Sequence, residues 1–168
     1  MNKYVFLFAA FFIFSSCDDG DFESPSFEFG NTIYGCGTYL LYRTTDTGTE
    51  AYIVNLLSTD LPTEEGSQMD LPLGGTRTVT YRIFDDKVTT DYFCNNIPPS
   101  SPNIVDEWIT GGGTMDIITT AEYDEDQIEV IGFNHEILIN NLVLVKGENE
   151  IRQSTYDFGT VSTVMVTN

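Results

Sequence analysis

The chain is poor in the residues from which most active sites are built. Its 168 residues include one histidine, one tryptophan and three cysteines. Lysine and arginine together number 7 against 26 acidic residues, a formal charge of −19. So sparse a basic complement excludes binding to a nucleic-acid backbone, which needs clustered cations. It excludes charge-driven adsorption to an anionic membrane for the same reason. A lone histidine makes no zinc site unless cysteines or carboxylates join it. No Gly-Lys-Ser/Thr follows the glycine run Gly111 to Gly113, so that run is not a phosphate loop. No Gly-x-Ser-x-Gly elbow occurs either, which leaves serine catalysis without support. Past residue 23 no stretch has the periodicity of a long amphipathic helix, and nothing repeats at a fixed interval. The longest apolar run, Tyr4 to Phe14, falls well short of the ~20 residues a membrane-spanning helix needs.

What is present at the N-terminus has a different use. Lys3 supplies a positive start, the run "YVFLFAAFFIF" follows, and Ser15-Ser16 lead into Cys17. A basic start, a short apolar centre and small residues at the exit describe a secretory signal. With its cysteine, the junction resembles the lipobox of bacterial lipoproteins, with Phe14 where that family usually has leucine. The resemblance implies that residues 1–16 are removed and that Cys17 is lipidated as the new N-terminus. Asp18, Asp19 and Asp21 follow at once, and "CDDGD" resembles the acidic tag of surface-displayed lipoproteins of the Bacteroidota. That resemblance implies an outer-membrane lipoprotein exposed on the cell surface, with a periplasm-facing one as the alternative. Residues 17–25 then serve as a lipidated, acidic tether.

Cleavage leaves 152 residues, 26–168 of them a single domain of ordinary size with a formal charge near −20. Lipidation uses Cys17 and leaves Cys36 and Cys94, an even pair in an oxidising compartment, so a disulfide is expected between them. The alternative is a nucleophilic thiol in "YGCGTY", which needs a base, and His135 is the one histidine.

Strand-like runs recur between turn residues. "GTYLLYR" and "EAYIVNLL" form a hairpin across "TTDTGT". The connection from Ser58 to Gly75 holds room for an edge segment. "TRTVTYRIF" alternates with Val79, Tyr81 and Ile83 on one face, and "KVTTDYFC" is expected to return as a strand. "NNIPPSSPNIVDEW" is a loop, "TMDIITTAEY" a strand, and "DED" (Asp124 to Asp126) a turn. "QIEVIGFNHEILINNLVLVKG" is long for one strand, so a bend or bulge at Gly132 or Asn134, or a tight turn at Asn140-Asn141, is expected. "YDFGTVSTVMV" closes the chain. Seven to nine strands without helical crossovers predict an all-β fold, a single antiparallel β-sandwich with a barrel-like relative as alternative.

The order "EAYIVNL…TYRIF…DYFCNNIPPSSP…EW…GGGTMDI…FNHEILINNL…YDFGT" resembles a group of uncharacterised lipoproteins of flavobacteria and their relatives. The resemblance implies a location and a fold but transfers no catalytic residue.

Candidate contacts remain few. His135 and Glu136 are neighbours in a strand and point to opposite faces, so they make no dyad. Trp108 is the one tryptophan able to offer a sugar platform, or else it plugs the core. Acids pair or cluster at Glu64/Glu65, Asp85/Asp86, Asp106/Glu107 and Glu122/Asp124/Glu125/Asp126, as turns do in a solvated surface. Calcium needs six to eight converging oxygens; no cofactor is expected, and if calcium is held, Asp124 and Asp126 are the residues to hold it. The function expected is a non-enzymatic binding or envelope-structural module, its partner a glycan or an envelope protein. An extracytoplasmic hydrolase or a glycan-binding accessory protein is the alternative.

Overall fold

The computed structural model describes residues 27–37 and 39–165. The signal, Cys17 and the acids Asp18, Asp19 and Asp21 lie outside the described residues. The elements are β1 (Tyr34–Cys36), β2 (Leu40–Thr44), β3 (Glu50–Asn55), β4 (Gly66–Pro72), β5 (Thr78–Phe84), α1 (Thr90–Cys94), β6 (Ile104–Tyr123), β7 (Val130–Lys146) and β8 (Asn149–Val164). The eight strands of the described residues belong to one antiparallel sheet in the order β1-β2-β3-β5-β6-β7-β8, with β4 on the free half of β6. The sheet curls into a half-barrel, so the expectation of an all-β, sandwich-or-barrel-like domain holds.

Alternation decides which side chains enter the curl. In β5, Val79 and Tyr81 are buried on the concave face and Ile83 packs against the same core. Opposite them in register stand Val54 and Tyr52 of β3. The concave core continues through Trp108, Met115, Ile117, Ile137, Ile139 and Phe158. The other face of β3 is buried too, because Ala51 and Ile53 join Tyr42, Phe84 and Val88 in a second cluster on the convex side.

That second cluster explains one departure from the sequence expectation. Residues 87–94 do not return as a strand. They end in α1, whose Phe93 stacks on Tyr42 at 4.0 Å and whose Tyr92 meets Phe84 edge-on at 5.0 Å. A strand would aim these adjacent rings at opposite faces, whereas one helical turn sends both to the same patch. Cys36 and Cys94 are joined by a disulfide, their Cα atoms 5.0 Å apart, which ties α1 to β1.

Two further departures concern the long strands. The expected loop before Trp108 is already β6 from Ile104 onward, and β6 passes straight through Gly111 to Gly113. Its first half pairs with β5 and its second with β4, so the glycines mark a change of partner. Thr110 bridges the change: its hydroxyl accepts from the Val79 N–H at 2.6 Å and donates to the Val79 carbonyl at 2.7 Å. Likewise β7 is one strand of 17 residues, with no turn at Asn140-Asn141. It carries bulges instead: one beside Gly132, where Ile131 has no partner on β6, and one at Asn141 (φ 49°) facing Gly113 (φ 126°). A Cβ at Gly113 would lie 2.9 Å from the Leu142 Cα, so only glycine fits there.

Candidate functional site

The half-barrel leaves a seam where its first and last strands approach. Arg43 on β2 closes one end of it. Its guanidinium donates to the carbonyls of Gly30 (2.8 Å), Phe29 (3.2 Å), Asp157 (3.2 Å) and Phe158 (3.0 Å), and lies over the Tyr156 ring. One cation thus joins the entering chain, β2 and β8. Beside it, Ile33 fills the space that a side chain at Gly159 would need.

Beyond this clamp the seam opens into a cleft of about 740 Å³, lined by Asn31, Ile33, Tyr34, Gly35 and Gly37 on one wall, Asp157 to Val164 on the other, and Leu41, Arg43 and Leu61 between. Among the described residues that line it, Arg43 and Asp157 are the charged ones, both at the closed end. In a chain of formal charge −19, the open part of the cleft is therefore an uncharged enclave. Tyr34, stacked on Tyr42 with centroids 5.2 Å apart and itself half exposed, forms its aromatic rim.

His135 lies under this cleft, fully buried. Its Nδ1 is 3.0 Å from the Thr119 hydroxyl and its Nε2 is 2.9 Å from the hydroxyl of Thr163, a cleft residue. Hydroxyls donate or accept as required, so the neutral ring is satisfied at both nitrogens. No carboxylate bonds the ring, and burial pushes its pKa below the ordinary histidine value. A Thr163–His135 contact resembles a nucleophile beside its base, but the group that would stabilise an imidazolium is missing from it. The arrangement is that of a structural polar bridge across β6, β7 and β8.

The other candidates are placed as follows. Trp108 is 2% exposed within the concave core, with the Lys146 ammonium 5.7 Å from its ring centre, so it offers no sugar platform. Both Trp108 and His135 face inward, because the curl turns their sides of the sheet toward the core. Asp124 and Asp126 are not brought together on a cation. The Asp124 carboxylate instead accepts from the backbone N–H of Ile128 (2.8 Å) and Glu129 (3.1 Å) and builds the turn between β6 and β7. Among the described residues no three His, Cys, Asp or Glu side chains are grouped to hold a metal ion. Cys36 and Cys94 are consumed by their disulfide, which removes the thiol nucleophile from consideration.

Sequence reasoning missed Arg43, Tyr34, Thr163 and a buried ion pair. Asp60 takes a two-pronged contact from Arg77, with Nε to Oδ2 at 2.8 Å and Nη2 to Oδ1 at 2.6 Å, and also accepts from the Leu57 N–H. This pair pins the connection that carries Leu61 into the cleft. An aspartate flanked by Thr59 and Leu61 is a usable signal for a buried turn, but nothing in the spacing points to Arg77. No protein-family model matches the chain, and no curated protein or solved structure is significantly similar to it.

Proposed function

We propose that this chain is a lipoprotein anchored through Cys17 to the outer membrane and displayed at the cell surface, where it acts as a non-enzymatic binding module. The anchoring rests on the sequence alone: Lys3, the apolar run to Phe14, Ser15-Ser16-Cys17 and the acids after it. The binding role rests on one observation, the uncharged cleft between β1 and β8. A concave site of this size is where a domain takes a ligand, and an acidic surface around a neutral cleft selects against anionic ligands. The hydrolase alternative has only the Thr163–His135 contact behind it.

Three measurements test the reading. Metabolic labelling with a fatty acid is expected to tag the wild type and not Cys17→Ala. Protease treatment of intact cells is expected to remove the domain; protection until lysis would place it in the periplasm and sink the surface assignment. A photo-crosslinking residue at Ser162, on the rim of the cleft, is expected to capture a partner in intact cells, and capture by a control site on α1 alone would refute the cleft as the binding surface.

A further inference from the structure

Resting on the binding-module reading, we propose that the cleft receives one extended, uncharged strand of a partner protein, which runs antiparallel to both β1 and β8 and closes the half-barrel.

The directions of the strands point to this occupant. Seven strands lie along the path from β1 to β8 and every neighbouring pair is antiparallel. The first and the seventh therefore run the same way. A closed ring of alternating strands needs an even number, so β1 and β8 cannot pair antiparallel with each other, whereas one strand of opposite direction pairs with both.

The backbone supplies the hydrogen bonds. The Met165 N–H bonds the Ile131 carbonyl at 2.9 Å, which fixes the alternation along β8. Val161 and Thr163 then bond to β7, and Thr160, Ser162 and Val164 aim their N–H and C=O groups at the cleft. On the other wall, the Leu56 N–H bonds the Tyr39 carbonyl at 2.8 Å, so Leu40 and Tyr42 bond toward β1. Gly35 is left facing the cleft. An open edge is a pairing site unless charge or proline blunts it. Neither occurs from Phe158 to Met165 or from Asn31 to Gly37.

Chemistry narrows the occupant. Side chains turned inward would meet Ile33, Leu41, Leu61 and Val161, so alternate positions are apolar. Basic residues beyond the ends suit a chain of charge −19. A second copy is a poor fit, because two chains of formal charge −19 repel. The chain's own residues 17–26 fit poorly too, with Asp18, Asp19, Asp21, Glu23 and Pro25 in ten positions.

The test uses the full-length chain in mild detergent and the capped peptide Lys-Thr-Val-Ser-Val-Thr-Lys. Amide hydrogen exchange is followed residue by residue. Before peptide, Thr160, Ser162, Val164 and Gly35 are expected to exchange faster than Val161 and Thr163. Peptide is expected to slow the first set by about tenfold or more and leave the second unchanged. No slowing at millimolar peptide overturns the proposal. So does slow exchange of the first set before peptide, which would mean the chain fills its own cleft. Ser162→Pro removes a cleft-facing N–H and keeps the backbone ladder to β7, with Ser162→Ala as the control for the lost hydroxyl bond to Asn134, and is expected to weaken binding relative to that control; a peptide methylated on alternate amides tests the same bonds without altering the protein, and undiminished binding of it overturns the proposal. A partner captured at Ser162 in cells without amide protection would keep the binding reading and refute strand addition alone.

Discussion

The pair Asp60–Arg77 offers the sharpest check on how the cleft is held. Asp60 is wholly buried and the Arg77 side chain 9% exposed. Arg77 also donates to the Pro72 carbonyl at 3.0 Å, and its own carbonyl accepts from the Gly74 N–H. Replacing Asp60 with alanine leaves the guanidinium buried without its counter-charge and the Leu57 N–H without its acceptor. Breaking a buried pair from one side costs about 3–5 kcal/mol, where a surface pair is worth at most about 1 kcal/mol. For a domain of this size that corresponds to a fall in Tm of roughly 6–20 °C. The double variant Asp60→Leu with Arg77→Met removes both charges and is expected to recover much of the loss. Urea unfolding under non-reducing conditions, followed by fluorescence of Trp108, measures all three variants. A loss below about 1 kcal/mol for Asp60→Ala would show that water reaches the pair, and would refute the argument from burial.

Three other outcomes are expected. Replacing Cys36 and Cys94 with serine opens a loop with a sequence separation of 58, which costs about 4 kcal/mol on the chain-entropy account; equal urea midpoints for oxidised wild type and variant would refute it. His135 has its folded pKa pushed below the unfolded value by burial, so the unfolded chain takes up a proton first as pH falls. Its contribution to stability is complete above the unfolded pKa of about 6.5 and is lost as pH drops from there through the folded pKa. His135→Gln is therefore expected to have a shallower stability profile over that window, and parallel profiles would contradict the assignment. Arg43→Met keeps the apolar stem but strands four carbonyls, and a loss of about 2–3 kcal/mol is expected, with faster amide exchange at Gly30.

How much of this was legible in the sequence depends on the range of the forces involved. The strand around Val79 and Tyr81 is plain from alternation, because each residue's face is a local property. The disulfide followed from compartment and count. Residues 87–94 misled because Tyr92 and Phe93 have strand propensity, and a patch made by Tyr42 and Phe84 overrides it. Gly111 to Gly113 looked like an end and is instead a change of partner within one strand. The cleft was invisible: its walls are separated by some 120 residues of chain, and its decisive property is the absence of charge at positions that no motif marks. The partners of His135 were equally hidden, since Thr119 and Thr163 meet it only through the register of β6, β7 and β8.

The Arg43 clamp and the disulfide also determine how the molecule bears a pull. Glu28 to Asn31 lie against the turn between β2 and β3, beside Thr45, Asp46 and Thr47. From there the chain runs parallel to the strands as far as Cys36. A force drawing residue 27 away from that end acts along the strand axis, so the bonds at Gly30 and Arg43 are loaded together in shear. Once they yield, residues 27–35 straighten by at most roughly 3.3–3.6 Å apiece. The load then crosses from Cys36 to Cys94 through sulfur. Strands β2 to β5 sit inside that covalent loop and are bypassed by the tension until the sulfurs are reduced, so any further extension must come from the residues after Cys94.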